Sequence, residues 1–179
     1  MDNIILIGFC SCGKSATAYE LAKRLNLKFI DLDKEIEVRY YLKYGEELHY
    51  RKIILKQGPE LFFEIENEFL SELTWFRDCV IAPGGGTPLR EENQFYLSKL
   101  GTIIYLKADP EVTFQRMQAK GLPLFLRNDP SMENLKRIWT ERDKVYLSFA
   151  KYVIDNSQLS ILETAEQIMS ILRADGMIS

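Results

Sequence analysis

Residues Gly8-Phe9-Cys10-Ser11-Cys12-Gly13-Lys14-Ser15 satisfy the pattern G-x-x-x-x-G-K-[ST] without a mismatch. The apolar run Ile4–Ile7 precedes them and an amphipathic stretch from Ala16 to Leu25 follows. That is the strand, loop and helix context of a phosphate-cradling loop. Backbone N–H groups over Ser11, Cys12, Gly13, Lys14, Ser15 and Ala16 would wrap around phosphate oxygens, and the helix N-terminus would add positive potential. Side chains at Gly8 and Gly13 would obstruct that approach. Lys14 would then neutralise the β- and γ-phosphates of a nucleotide, and the Ser15 hydroxyl would serve Mg²⁺, which takes one or two protein ligands and otherwise keeps water or phosphate oxygens. Cys10 and Cys12 fill free positions of the pattern and read as small fillers rather than nucleophiles.

The next acidic feature is Phe29-Ile30-Asp31-Leu32-Asp33, a short strand ending in two carboxylates that project to one side if the extended conformation persists. In an open α/β sheet the carboxyl ends of neighbouring strands share a crevice, which sets these acids opposite the phosphate loop. One acid could organise Mg²⁺ and the other could accept a hydroxyl proton; alternatively both simply cap the helix beginning near Lys34.

The elements that must position these groups are readable from periodicity. Ile4–Ile7, Phe29-Ile30, Cys79–Ala82, Ile103–Leu106 and Tyr152–Ile154 are short apolar runs bounded by Gly, Asp or Pro, as buried parallel strands are. Helix starts are signalled at Thr87-Pro88, Asp109-Pro110-Glu111 and Asp129-Pro130, where a capping side chain precedes Pro, and a last helix spans about Ile161 to Leu172. The alternation predicts an α/β layered fold with a five-stranded parallel sheet flanked by helices. At 179 residues without repeat or linker, residues 1–179 are expected to form one domain.

Composition excludes more than it selects. Lys plus Arg number 23 against 26 Asp plus Glu, a formal charge of −3, which gives no basic nucleic-acid footprint. The aromatic and basic residues between Tyr40 and Gln57 therefore read as packing for a small helical lobe, not as a nucleic-acid platform. No apolar run approaches the length of about 18 residues that a spanning helix needs, so no membrane association is expected. With Cys10, Cys12 and Cys79 as the cysteines, His49 as the single histidine, and no basic segment before the first apolar run, neither a zinc site nor a secretory signal is expected. A reducing cytoplasm is the expected address.

From Ile4 to about Asp155 the chain resembles the shikimate kinases. The resemblance rests on an ordered set: the phosphate loop, Asp31-x-Asp33, Val80-Ile81-Ala82-Pro83 running into Gly84-Gly85-Gly86, Tyr105-Leu106-Lys107-Ala108-Asp109, Arg116, Pro123-Leu124, and Arg142-x-x-x-Tyr146. It implies transfer of the γ-phosphoryl group of ATP to the 3-hydroxyl of shikimate with Mg²⁺, by a P-loop kinase fold carrying a substrate lobe at about 33–62 and a lid at about 117–129. The chain is then expected to work as a monomer on a small molecule.

By the same resemblance Asp31 and Ser15 serve Mg²⁺, and Asp33 grips the substrate hydroxyls and acts as base. Gly84, Gly85 and Gly86 face the substrate, and Arg142 binds its carboxylate with a planar fork of donors. Arg116 stacks on adenine. Read without the family, the glycines are a turn after a strand, and Arg116 and Arg142 are solvated helix charges. Two departures stand out: a substrate-binding arginine of the family pattern is Phe63 here, and a lid arginine is Leu122. Arg127 in the lid could replace the latter as a catalytic cation, with Arg51 a further candidate. Losing a charged hydrogen-bond partner typically costs about 1.5–3 kcal/mol. This keeps two alternatives open, a kinase for another small hydroxyl compound and a regulatory nucleotide-binding module with little turnover.

Overall fold

A computed structural model describes residues 2–178. Five parallel strands, β1 (Asn3–Ile7), β2 (Lys28–Asp31), β3 (Cys79–Ala82), β4 (Gly101–Lys107) and β5 (Tyr152–Asp155), form one sheet in the order β2-β3-β1-β4-β5. Alternation along the strands sends side chains to two separate cores. Ile5, Ile7, Ile30, Ile81, Ile103 and Tyr105 enter the larger one, while Ile4, Leu6, Val80, Ala82, Ile104 and Leu106 enter the other.

The second core is closed by α1 (Lys14–Leu25) and α8 (Ile161–Ala174) through Ala18, Leu21, Ile168 and Leu172. A reciprocal capping box between Ser160 and Glu163 starts α8. The first core is covered by α4 (Pro59–Leu73), α5 (Glu91–Leu100) and α7 (Met132–Phe149), with α2 (Leu32–Tyr44) and α3 (Tyr50–Gln57) forming a helical lobe beyond the sheet edge. Remaining is α6 (Pro110–Lys120), whose Met117 is fully buried.

Several local expectations need correction. Thr87-Pro88 opens only a 3-10 turn, Thr87–Leu89, and α5 begins two residues after it. Asp129-Pro130 does not start α7; Ser131 caps that helix by accepting from Asn134 N, while Asp129 accepts from Ser131 N. The stretch 117–129, expected as a lid, begins inside a helix, because α6 continues to Lys120 and the buried Met117 anchors that last turn. Its irregular part begins at Gly121 and contains the 3-10 turn Leu124–Leu126.

The extended conformation also fails to persist between the paired acids. Asp31 ends β2 and caps α2 by accepting from Lys34 N, so Asp33 stands in the first turn of that helix. Moreover β1 and β2 are not neighbours: β3 lies between them, with Asp31 in register with Ala82. The glycine turn after β3 is thereby inserted between the phosphate loop and the acids.

Candidate active site

The loop after β1 curls under Lys14. Its Nζ donates to the carbonyls of Gly8 at 2.8 Å and Phe9 at 2.9 Å, placing a buried cation at the centre of the cradle. Gly13 caps α1 in a left-handed conformation that favours glycine, leaving the first N–H groups of the helix directed at the loop's concavity. Gly8 is required for a different reason from the one read in the sequence: a β-carbon there would come within 2.4 Å of the Leu106 carbonyl oxygen. Close packing of β1 on β4, more than room for phosphate, excludes a side chain. Cys12 is buried in the second core and Cys10 is partly buried against the first.

On the far side of the loop, Ser11, Cys12, Gly13, Ala16, Thr17, Arg116 and Asn156 line a cavity of about 350 Å³. Arg116 is held there by donating to the carbonyls of Ser11 and Cys12. Thr17 Oγ1 and Asn156 Oδ1 are buried without a protein partner, although Asn156 Nδ2 donates to the Cys12 carbonyl at 2.7 Å. Orphaned buried polar atoms beside a phosphate loop suit a polar heterocycle with its sugar and phosphates.

A second cavity, about 340 Å³, opens on the other side of the loop between Lys14, Ser15, Asp33 and Gly84. The donors lining this side, the exposed Ser15 hydroxyl and the Asp33 carboxylate, are hard oxygens; Asp31 caps α2 outside the lining, near enough for its charge to act on Asp33. Among the described residues no three His, Cys, Asp or Glu side chains are grouped to hold a metal by themselves. These donors fit Mg²⁺, which takes few protein ligands when phosphates complete its shell.

The third cavity, about 270 Å³, has a mostly apolar lining with a few charged side chains. Phe62, Phe63 and Phe125 line it with Asp33, Glu66, Gly84, Gly85 and Arg142. Burial pushes the Asp33 carboxyl up to about 7, with the nearby charges of Asp31 and Glu66 adding to the rise and Lys14 opposing it. Glu66 is itself raised by burial, although its oxygens accept from Thr87 Oγ1 at 2.6 Å and Asn93 Nδ2 at 2.7 Å. Tyr146 donates to the Gly85 carbonyl at 2.6 Å, tying the glycine turn to α7. One helical turn earlier, Arg142 lies over the Phe125 ring at 4.3 Å and faces the cavity. It is therefore not the solvated helix charge that its neighbours Arg137, Glu141 and Lys144 suggest.

Phe63 occupies the wall where the resemblance implied an arginine, and the guanidinium of Arg90 packs 3.9 Å behind its ring, on the side away from this cavity. Leu122 packs against the core. Arg127 is exposed and lines neither cavity, so the structure does not bring it to Lys14 and Asp33. Gly86 is exposed at the cavity rim.

Comparisons with known proteins agree with this geometry. A family model described as shikimate kinase matches residues 10–173. The chain belongs to the shikimate kinase family. A curated shikimate kinase of Pelotomaculum thermopropionicum is 36% identical over 179 residues, covering 99% of both chains. One of Caldanaerobacter subterraneus is 35% identical over 170 residues, 94% of this chain and 95% of the relative. Among solved structures, shikimate kinase from Acinetobacter baumannii in complex with shikimate has a TM-score of 0.84 at 30% identity, covering 98% of this chain and 94% of that one.

As a shikimate kinase the chain carries features that its motifs did not announce. The Glu66–Thr87–Asn93 cluster joins α4 to the turn after β3, and no local pattern links residues 21 and 27 positions apart. Tyr146 is readable from its spacing from Arg142, but its bond to the glycine turn joins groups 61 residues apart. The orphaned Thr17 and Asn156 atoms gave no signal beyond their polarity.

Proposed function

We propose that the protein transfers the γ-phosphoryl group of ATP to the 3-hydroxyl of shikimate, giving shikimate 3-phosphate and ADP, in the route to aromatic amino acids. The observation that carries this reading is a shared wall: Cys10, Asp33, Tyr50, Arg51, Gly84 and Gly85 line both the phosphate-side cavity and the aromatic-walled one. An acceptor hydroxyl in the second can therefore face a γ-phosphate in the first.

Asp33 accepts the hydroxyl proton as the acceptor oxygen bonds to the γ-phosphorus and the bond to the β–γ bridging oxygen breaks, the electron pair leaving with ADP. A carboxyl at about 7 is close to the operating pH, where a base combines availability with strength. Lys14 stabilises charge on the phosphates, the backbone from Ser11 to Ala16 cradles them, and Arg116 stacks on the adenine ring of the nucleotide on the far side of the loop. Arg142 pairs with the acceptor's carboxylate, while Gly84, Gly85 and Gly86 admit its hydroxyls. Mg²⁺, when bound, supplies charge neutralisation between the β- and γ-phosphates; Ser15 and Asp31 would hold it. The segment from Gly121 to Asp129 serves as a lid that excludes water, and α2, α3 and the start of α4 form the acceptor lobe. All these groups come from one chain, which supports a monomeric enzyme, and three free cysteines suit a reducing cytoplasm.

A coupled ADP-release assay with shikimate, quinate, gluconate or no acceptor tests this. ADP formation dependent on shikimate, with the product phosphorylated at its 3-hydroxyl, is the expected result. Turnover with a different acceptor only, which the apolar ring at Phe63 would favour for a less anionic compound, or ATP binding without turnover would replace it.

A further inference from the structure

Phosphoryl transfer disperses negative charge over the transferred group, between donor and acceptor, and a cation fixed at that boundary is more effective than one on either side alone. The cations around the boundary are few. Lys14 and Lys120 line the phosphate-side cavity, and Arg142 lines the aromatic-walled one. Among the described residues Arg51 is the cationic side chain that lines both.

Its setting holds the guanidinium in place through neutral hydrogen-bond partners. Arg51 is near the start of α3, and its Nε donates to Tyr50 Oη at 3.1 Å. Its Nη1 donates to the carbonyls of Gly121 at 3.3 Å and Leu122 at 3.4 Å, at the beginning of the non-helical segment after α6. All these partners are neutral. The electrostatic field it does feel includes Asp33, the group facing the acceptor. Leu122 itself contributes a backbone carbonyl and an apolar side chain packed on the core, and Arg127 is exposed outside both cavities.

We infer that Arg51 is a catalytic residue of this enzyme: its guanidinium contacts the phosphoryl group in transit from the acceptor-lobe side and couples that contact to the lid segment through the Gly121 and Leu122 carbonyls. A planar fork can spend one nitrogen on these carbonyls and present another to phosphate oxygens. This rests on the proposed kinase reaction, so its test includes an arm independent of the acceptor.

Steady-state kinetics of Arg51→Ala and Arg51→Lys would be compared with wild type and with Lys52→Ala, an exposed neighbour. Arg51→Ala should lower kcat by about 10²-fold, as removal of one transition-state donor does, with KM for ATP and thermal midpoint little changed, and Arg51→Lys should recover part of the loss. In the second arm, ADP alone should bind Arg51→Ala as it binds wild type, whereas ADP with aluminium fluoride and Mg²⁺, a mimic of the phosphoryl group in flight, should bind it more weakly. Unchanged kcat, or unchanged binding of the aluminium fluoride complex, would overturn the role of Arg51. If wild type shows no turnover with shikimate while the second arm still separates the variants, the acceptor assignment falls and the role of Arg51 stands.

Discussion

A carboxylate oxygen of Asp33 lies 2.9 Å from where a β-carbon on Gly84 would stand. The first glycine of the turn after β3 therefore leaves room for the acid on α2, and the two elements meet only because β3 lies between β1 and β2. At Gly86 nothing lies within 4 Å of such a carbon. Gly84→Ala should displace Asp33 and lower kcat by up to about 10²-fold, the usual consequence of misplacing a reacting group by about 1 Å, while Gly86→Ala loses far less. Parallel kinetics on the two variants, with equal thermal midpoints as a control, would check the contrast.

As the proposed general base, Asp33 should set the acidic limb of the pH profile. Activity should rise with pH through about 7 as its carboxyl ionises, and Asp33→Asn should remove that limb together with at least about 10²-fold of kcat. Stability runs the opposite way. The folded protein holds this proton up to about 7 and the unfolded chain releases it near the ordinary carboxylate value, so stability falls as pH rises between the two. Asp33→Asn should accordingly unfold at a higher temperature than wild type at pH 8 and show little difference at pH 4. Melting curves at both pH values would decide it.

Glu66 links packing to that titration. Its oxygens accept from Thr87 and Asn93, so Glu66→Leu leaves both buried donors without that acceptor and should destabilise the fold by about 1–3 kcal/mol. Because the Glu66 charge helps to raise Asp33, the same variant should move the acidic limb of the rate profile to lower pH. A denaturant titration and a pH–rate series would measure the two effects separately.

Arg142 stands on the acceptor side of the shared wall, stacked on Phe125. Arg142→Ala should raise KM for shikimate by about tenfold or more and leave KM for ATP nearly unchanged, in line with loss of a charged hydrogen bond of about 1.5–3 kcal/mol. Equal changes in both constants would place Arg142 elsewhere in the cycle.

Much of this protein is written in local pattern. The loop Gly8–Ser15 between an apolar run and an amphipathic helix predicts its own conformation, because the strand, turn and helix signals are contiguous. The five apolar runs became five parallel strands, with boundaries within two residues of those read from the sequence. Burial on both faces makes β1 and β3 continuous apolar runs, whereas the edge strands β2 and β5 each bury one residue and are marked by the Asp that ends each one as well. Asp31 is readable both as a cap and as an acid beside phosphate, and the structure shows the cap.

What the tertiary structure decided is which distant groups meet. Strand order placed the glycine turn between Lys14 and Asp33, and a chain cannot announce that β3 pairs between β1 and β2 when pairing energies come from contacts that no short segment makes. The same holds for charge. The sequence counts 23 basic residues without ranking them. Folding sent Arg127 to solvent, turned Arg142 onto Phe125, set Arg90 behind Phe63, and brought Arg51 to the wall that both cavities share. A side chain's electrostatic worth depends on what surrounds its end, and those surroundings are assembled from parts of the chain that only folding brings together.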